Sequence, residues 1–312
     1  MSDICEERVI IDGENKIGAT ISYQDKEKKQ PLVLLIMGTG KMDRDGNGFG
    51  FKSNFYKNLS DMFVNNGFVC VRYDKRGTHE STGDFGTAGL CDLVDDSASV
   101  IEYAKGLDYV DADKIIACGH SEGAIIATLL TQQEKLDRVI LLGGACMSIK
   151  HAMEYQNLQV MEELNNMNGF MSWIAKKFVS KEKIDKQLTS FFDRAKNAKK
   201  DKFFFNGAFF PTKWVKEHGA LTDEDFVEMI GAYNGKVLAI TGQGDVQADY
   251  TCLDKIKEFE NVTTYTPENV NHMLRENDRP ASALNAKKEY KGLFKKPMHE
   301  GTIQVIEEFL EK

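Results

Sequence analysis

The chain has 312 residues, 42% apolar and 28% charged, the composition of a globular protein large enough for one sizeable α/β domain carrying an insertion. A net charge of −8, with no basic stripe interleaved with aromatics, argues against a nucleic-acid binder. No run approaches the roughly 18 apolar residues of a membrane span, and the acidic start Met-Ser-Asp-Ile-Cys-Glu-Glu does not read as a signal peptide.

In chain order, Glu7–Ile11 and Lys16–Tyr23 read as a hairpin, and Pro31–Met37 as a continuous apolar strand of the kind buried on both faces of a parallel sheet. A loop of glycines and aspartates, Gly38–Gly50, leads to a helix over Asn54–Asn66 and a strand over Val69–Tyr73. Then come a helix over Leu93–Gly106, a strand over Lys114–Cys118, a helix from Gly123 to about Leu130 and a strand over Arg138–Leu142. After a long interval the alternation resumes with strands Lys236–Ile240 and Val262–Tyr265, and Gly301–Leu310 closes as an amphipathic helix. The pattern predicts an α/β fold, a mostly parallel doubly wound sheet covered on both faces.

The interval breaks this rhythm, dividing the chain into a core domain of residues 1–146 and 236–312 and a helical cap of residues 147–235. The cap holds 10 of the 19 phenylalanines and both tryptophans, enough to line an apolar pocket. Phe170, Trp173 and Trp214 are the cap residues expected there, with the alternative that such aromatics form only the cap's own core. Six cysteines lie scattered with no C-x-x-C spacing, which predicts free thiols and a cytoplasmic protein.

The most informative stretch is Lys114–Thr128. A buried strand runs into Gly119-His-Ser-Glu-Gly123 and then into an Ala/Ile/Leu helix. G-x-S-x-G between strand and helix is a nucleophile elbow: the glycines permit a tight turn that lifts the Ser121 hydroxyl from the sheet edge. A serine hydroxyl needs a base, and the base needs a group that fixes its tautomer. Of the six histidines, His272 follows the last strand and so reaches the carboxyl edge of the sheet, where such sites lie. His120, beside the serine, faces away from the place a base must occupy but borders the pocket. Asp245, directly after a strand in Ile240-Thr-Gly-Gln-Gly-Asp245, is the expected acid, with Asp249 as runner-up. The oxyanion hole is expected from the Glu122 N–H and the Met37-Gly-Thr-Gly-Lys41 loop, Thr39 first and Gly40 second. Gly38 and Lys41 of that loop join the expected pocket.

Together these residues resemble the α/β-hydrolase superfamily over nearly the whole chain. Gly38-Thr-Gly-Lys-Met-Asp-Arg-Asp-Gly46 is similar to the G-S-G-P-x-D-R-D-G segment of bacterial serine esterases of the S9/S33 or dienelactone-hydrolase-like kind. Asp74-Lys-Arg-Gly-Thr-His-Glu-Ser-Thr-Gly83 is similar to the superfamily's D-x-R-G-x-G-x-S-x-G turn, and Asn271-His272 to its N-H. Thr39 and Lys41 replace serine and proline, and His79 replaces a glycine, filling space or adding a polar contact near the site. Asp43, Arg44, Asp45, Asp74 and Arg76 are expected to brace these loops as a charge network, not to hold a metal. The resemblance implies an α/β-hydrolase fold and a serine hydrolase for a small-molecule ester, while the aromatic-rich cap favours an apolar or aromatic acyl group; the chemistry needs no cofactor or metal. A thioesterase or peptidase would use the same triad, and a binding protein or a non-hydrolytic enzyme could reuse the scaffold. Nothing fixes the oligomeric state, and a homodimer remains open.

Overall fold

A computed structural model describes residues 3–167 and 180–311. Ten strands form among them: β1 Cys5–Ile11, β2 Ile17–Tyr23, β3 Gln30–Ile36, β4 Val69–Tyr73, β5 Val110–His120, β6 Arg138–Leu142, β7 Lys202–Phe205, β8 Ala208–Pro211, β9 Lys236–Ile240 and β10 Val262–Tyr265. The helices are α1 Phe55–Asn65, α2 Leu90–Lys105, α3 Glu122–Leu130, α4 Ile149–Asn166, α5 Lys181–Asn197, α6 Thr212–Gly219, α7 Asp223–Ala232, α8 Ala286–Leu293 and α9 Glu300–Glu311. The main sheet runs β1-β2-β4-β3-β5-β6-β9-β10. It is parallel from β4 onward, with β1 and β2 antiparallel at one edge. This is the α/β-hydrolase fold.

The continuous apolar strands divide by residue parity. Leu32, Leu34 and Ile36 of β3, with Ala117 and Leu141, pack on one face against α2, α3 and α7. Val33 and Leu35, with Cys118, Ile140 and Ile240, pack on the other against α1 and α9. A strand buried on both sides has no polar face to offer, hence the unbroken hydrophobic runs. Helix α3 lies centrally, and beyond Glu122 it is almost wholly apolar because nearly every one of its side chains is enclosed.

The described residues of the 147–235 interval are not purely helical. Beside α4–α7 it contains the antiparallel hairpin β7–β8, whose two-residue turn places Asn206 and Gly207 at positive φ. Phe191, Ala195, Phe203 and Val215 form a small core of its own, whereas Phe204 and Phe209 lie exposed against each other. Phe170 and Trp173 lie outside the described residues. The six cysteines are free thiols. Among the described residues, no helix is long and apolar enough to cross a membrane.

One ionic cluster joins the 147–235 interval to the loop after β9. His151 Nδ1 meets Asp223 Oδ2 at 2.6 Å and its Nε2 lies 3.5 Å from Asp249, while the Lys255 ammonium is 3.2 Å from Asp223. Asp223, then Asp249 and Cys252, push the His151 pKa up to about 12 against the opposing effect of burial. A histidine raised on folding stabilises fully below its unfolded pKa near 6.5, and that contribution fades as pH rises toward 12. Stability should therefore decline from pH 6.5 to 9.5, and urea midpoints of His151→Gln should show a flatter decline. Equal slopes would remove His151 as the cause.

Candidate active site

Ser121 occupies the junction of β5 and α3 at φ 58° and ψ −123°, a conformation a non-glycine residue adopts only under constraint. The constraint is the crowding of the turn. A Cβ on Gly119 would lie 2.0 Å from the Gly123 carbonyl oxygen, and one on Gly123 would lie 2.1 Å from that of Ile36. Ser121 N–H donates to Leu142 O at 2.8 Å, tying the elbow to β6. The elbow opens into a cavity of about 760 Å³ lined by Ser121, His272, Gly38, Thr39 and largely apolar side chains, among them Met147, Phe210 and Trp214.

On the far side stands His272, delivered by the loop after β10. Its Nδ1 lies 2.7 Å from Asp245 Oδ2, and both residues are buried. Asp245 Oδ1 accepts from the N–H groups of Gln247 and Ala248 at 2.7 and 3.1 Å, which orients the carboxylate. A carboxylate accepts, so the His272 proton sits on Nδ1 and Nε2 is left basic. Asp249 instead caps the short helix at Tyr250–Lys255 and faces His151. Ser121 Oγ and His272 line the same cavity, with no hydrogen bond between them. Arg275 braces the histidine loop by donating to Met273 O and Lys296 O at 3.0 and 3.1 Å.

Gly38 carries the close approach on the other side of the serine, since a Cβ there would lie 2.9 Å from Ser121 Cβ. Its N–H donates to Tyr56 Oη at 2.8 Å and is not free for a substrate. Thr39 also lines the cavity, and its N–H has no partner among the described residues. The N–H of Glu122, first residue of α3, lacks an intrahelical acceptor and carries the positive end of the helix dipole. Gly40, at φ 120°, and Lys41, stacked on Phe85, do not line the cavity. Lys41 is thus no pocket residue: the turn at Gly40 carries it outward.

His120 borders the cavity and is buried. Its Nε2 faces the His272 carbonyl oxygen at 2.8 Å, so that nitrogen bears the proton, and Nδ1 accepts from Tyr56 Oη at 3.0 Å. Burial, then the nearby His272, pushes its pKa down to about 3, so it stays neutral. Gly38, Tyr56, His120 and His272 thereby form one hydrogen-bonded chain from the glycine loop to the base loop. Tyr56→Phe would leave Gly38 N–H and His120 Nδ1 without their partner, an expected loss of about 1–3 kcal/mol by urea unfolding. An unchanged midpoint would show that the chain contributes nothing to stability.

The expected charge network forms with altered pairing. Arg44 holds Asp74 at 2.5 Å, Arg72 holds Asp45 at 2.7 Å, and Arg76 turns to Asp96 at 2.7 Å. Asp43 instead accepts backbone N–H bonds within its own turn. His79 is exposed and does not line the cavity; it stands at φ 45°, the left-handed backbone that explains the glycine of the resembling motif. Sequence reasoning missed Tyr56, Lys75 and His218. All but Lys75 lie on helices where they read as ordinary core, and Lys75 sits inside a motif whose named positions flank it.

Elbow, base loop and sheet together define a protein of the α/β-hydrolase fold. Solved structures bear this out: Est1E from Butyrivibrio proteoclasticus with bound ferulic acid aligns at TM-score 0.61 and 18% identity, covering 97% of this chain and 98% of that one. An esterase from Pyrococcus furiosus aligns at TM-score 0.57 and 10% identity, covering 99% and 91%. Residues 46–246 match the family described as serine aminopeptidase, S33, and the chain belongs to that family of hydrolases. Over 126 residues the chain is 23% identical to Esterase EstD of Thermotoga maritima; the match covers 40% of this chain but only 30% of that relative.

Proposed function

We propose that the protein hydrolyses carboxylic esters through Ser121, His272 and Asp245. The observation that carries this reading is the Asp245–His272 hydrogen bond beside a strained serine in one apolar cavity. His272 Nε2 takes the Ser121 proton as Oγ attacks the ester carbonyl. The tetrahedral oxyanion is held by the N–H groups of Glu122 and Thr39. His272 then protonates the departing alcohol, and a water deprotonated by the same nitrogen releases the acid from the acyl-enzyme. Asp245 keeps the imidazole in the tautomer this requires.

Methionines and aromatics along the cavity favour an apolar or aromatic acyl group, with residues 147–235 acting as the cap over it. The partial similarity to Esterase EstD supports an ester as the substrate. Free thiols throughout suit a reducing compartment, and we place the protein in the cytoplasm. Matched oxygen esters, thioesters and aminoacyl anilides with a common acyl group test this reading. The oxygen ester is expected to give the highest kcat/KM, and a higher value for either rival would reassign the activity.

A further inference from the structure

Glu122 follows the serine, and its side chain is enclosed at 1% exposure. A carboxylate buried this deeply persists only where its oxygens are matched. The two oxygens face different parts of the molecule. Oε2 accepts from Lys75 Nζ at 2.5 Å, and Lys75, itself buried, also donates to the Gly38 carbonyl at 2.8 Å. Oε1 accepts from Trp214 Nε1 at 2.5 Å and faces His218 Nε2 at 3.2 Å, both on α6 of the insertion. Burial opposes ionisation of Glu122, but Lys75 and His218 outweigh it and hold the group below the usual carboxylate range. The ionised oxygen only accepts, so His218 carries its proton on Nε2.

One residue therefore offers its backbone N–H to the oxyanion and its side chain to the insertion, while Lys75 extends the contact to the residue before Thr39. We propose that the Glu122–Lys75 pair is a positioning device that makes the oxyanion hole depend on the seating of α6. The inference rests on the serine mechanism above. With α6 docked, Trp214 and His218 fix Oε1, Lys75 lies between Oε2 and Gly38, and both oxyanion arms are held. With the His218 donor gone, Oε1 keeps only the Trp214 N–H, and the carboxylate relaxes toward Lys75 or water, shifting the first turn of α3 and loosening Gly38. Oxyanion donors act within a narrow geometry, and a displacement of about 1 Å costs on the order of 10²-fold in rate. His218 does not line the cavity, so replacing it removes no substrate contact.

The experiment compares His218→Leu, His218→Gln and Glu122→Gln with wild type, all normalised by active-site titration. The readouts are kcat and KM on a p-nitrophenyl ester, the Ki of an aryl trifluoromethyl ketone, which adds to the serine and bears the oxyanion, and the Ki of the product acid. His218→Leu and Glu122→Gln are expected to lower kcat about 10- to 100-fold and to weaken the ketone by the same factor. KM and product-acid binding should stay within about twofold, and His218→Gln, which keeps an N–H donor, should recover most of the rate. The inference is overturned if kcat per titrated site and ketone affinity are unchanged in both variants. Should His218→Leu fail to fold, the nearly isosteric Glu122→Gln decides alone. A wild type that neither turns over esters nor binds the ketone would instead overturn the serine mechanism itself.

Discussion

Ser121→Ala is expected to lower kcat/KM on a p-nitrophenyl ester by about 10⁴- to 10⁶-fold while the protein remains folded. The nucleophile then lacks the atom that forms the acyl bond, and only substrate binding and the oxyanion donors remain. His272→Ala should fall as far, because without a base the serine stays protonated and the groups act as one unit. Asp245→Asn should cost about 10⁴-fold, since an amide fits the same place but favours the wrong imidazole tautomer. Asp249→Asn, which faces His151, should leave the rate within about twofold. A large loss from Asp249→Asn with little from Asp245→Asn would transfer the orienting role to the runner-up.

Gly123→Ala is expected to have the largest effect on stability, about 3–5 kcal/mol or failure to fold. Its new methyl would stand 2.1 Å from Ile36 O and 3.1 Å from Met37 O, both on backbone that cannot swing aside. The elbow packs directly on the end of β3, so relief would require moving α3 or the strand before the glycine loop. Gly67→Ala, where nothing lies within 4 Å of the added atom but φ is +84°, isolates the cost of backbone conformation without collision. It should lose only about 1–2 kcal/mol in the same urea titration. Equal losses for the two would mean that crowding at the elbow is relieved at little cost.

The sheet was legible because its strands are buried on both faces and its helices follow at regular intervals. Pro31–Met37 and Ile115–Cys118 leave no other way to satisfy so many apolar residues. The extension of β5 back to Val110 was not legible, since Asp111 and Asp113 break the apolar run with charge. The hairpin β7–β8 was hidden by a run of phenylalanines that reads equally well as pocket lining. At the site, Ser121, Asp245 and His272 stood out through their places at strand ends, and the structure brings the last two within hydrogen-bond distance. Lys41 failed as a pocket residue because one positive φ at Gly40 redirects the chain, which composition does not register. The Glu122 side chain was overlooked for a different reason. Its partners Lys75, Trp214 and His218 are 47, 92 and 96 residues distant in sequence, and only the folded chain unites them.

The central claim is that Ser121 is an activated nucleophile. The direct measurement is reaction with a fluorophosphonate followed by mass spectrometry of the digested protein. The account predicts one adduct per chain, on the peptide that carries Ser121, absent in Ser121→Ala and strongly slowed in His272→Ala. An adduct on another residue, or ester turnover by a protein that takes no label at Ser121, would contradict it.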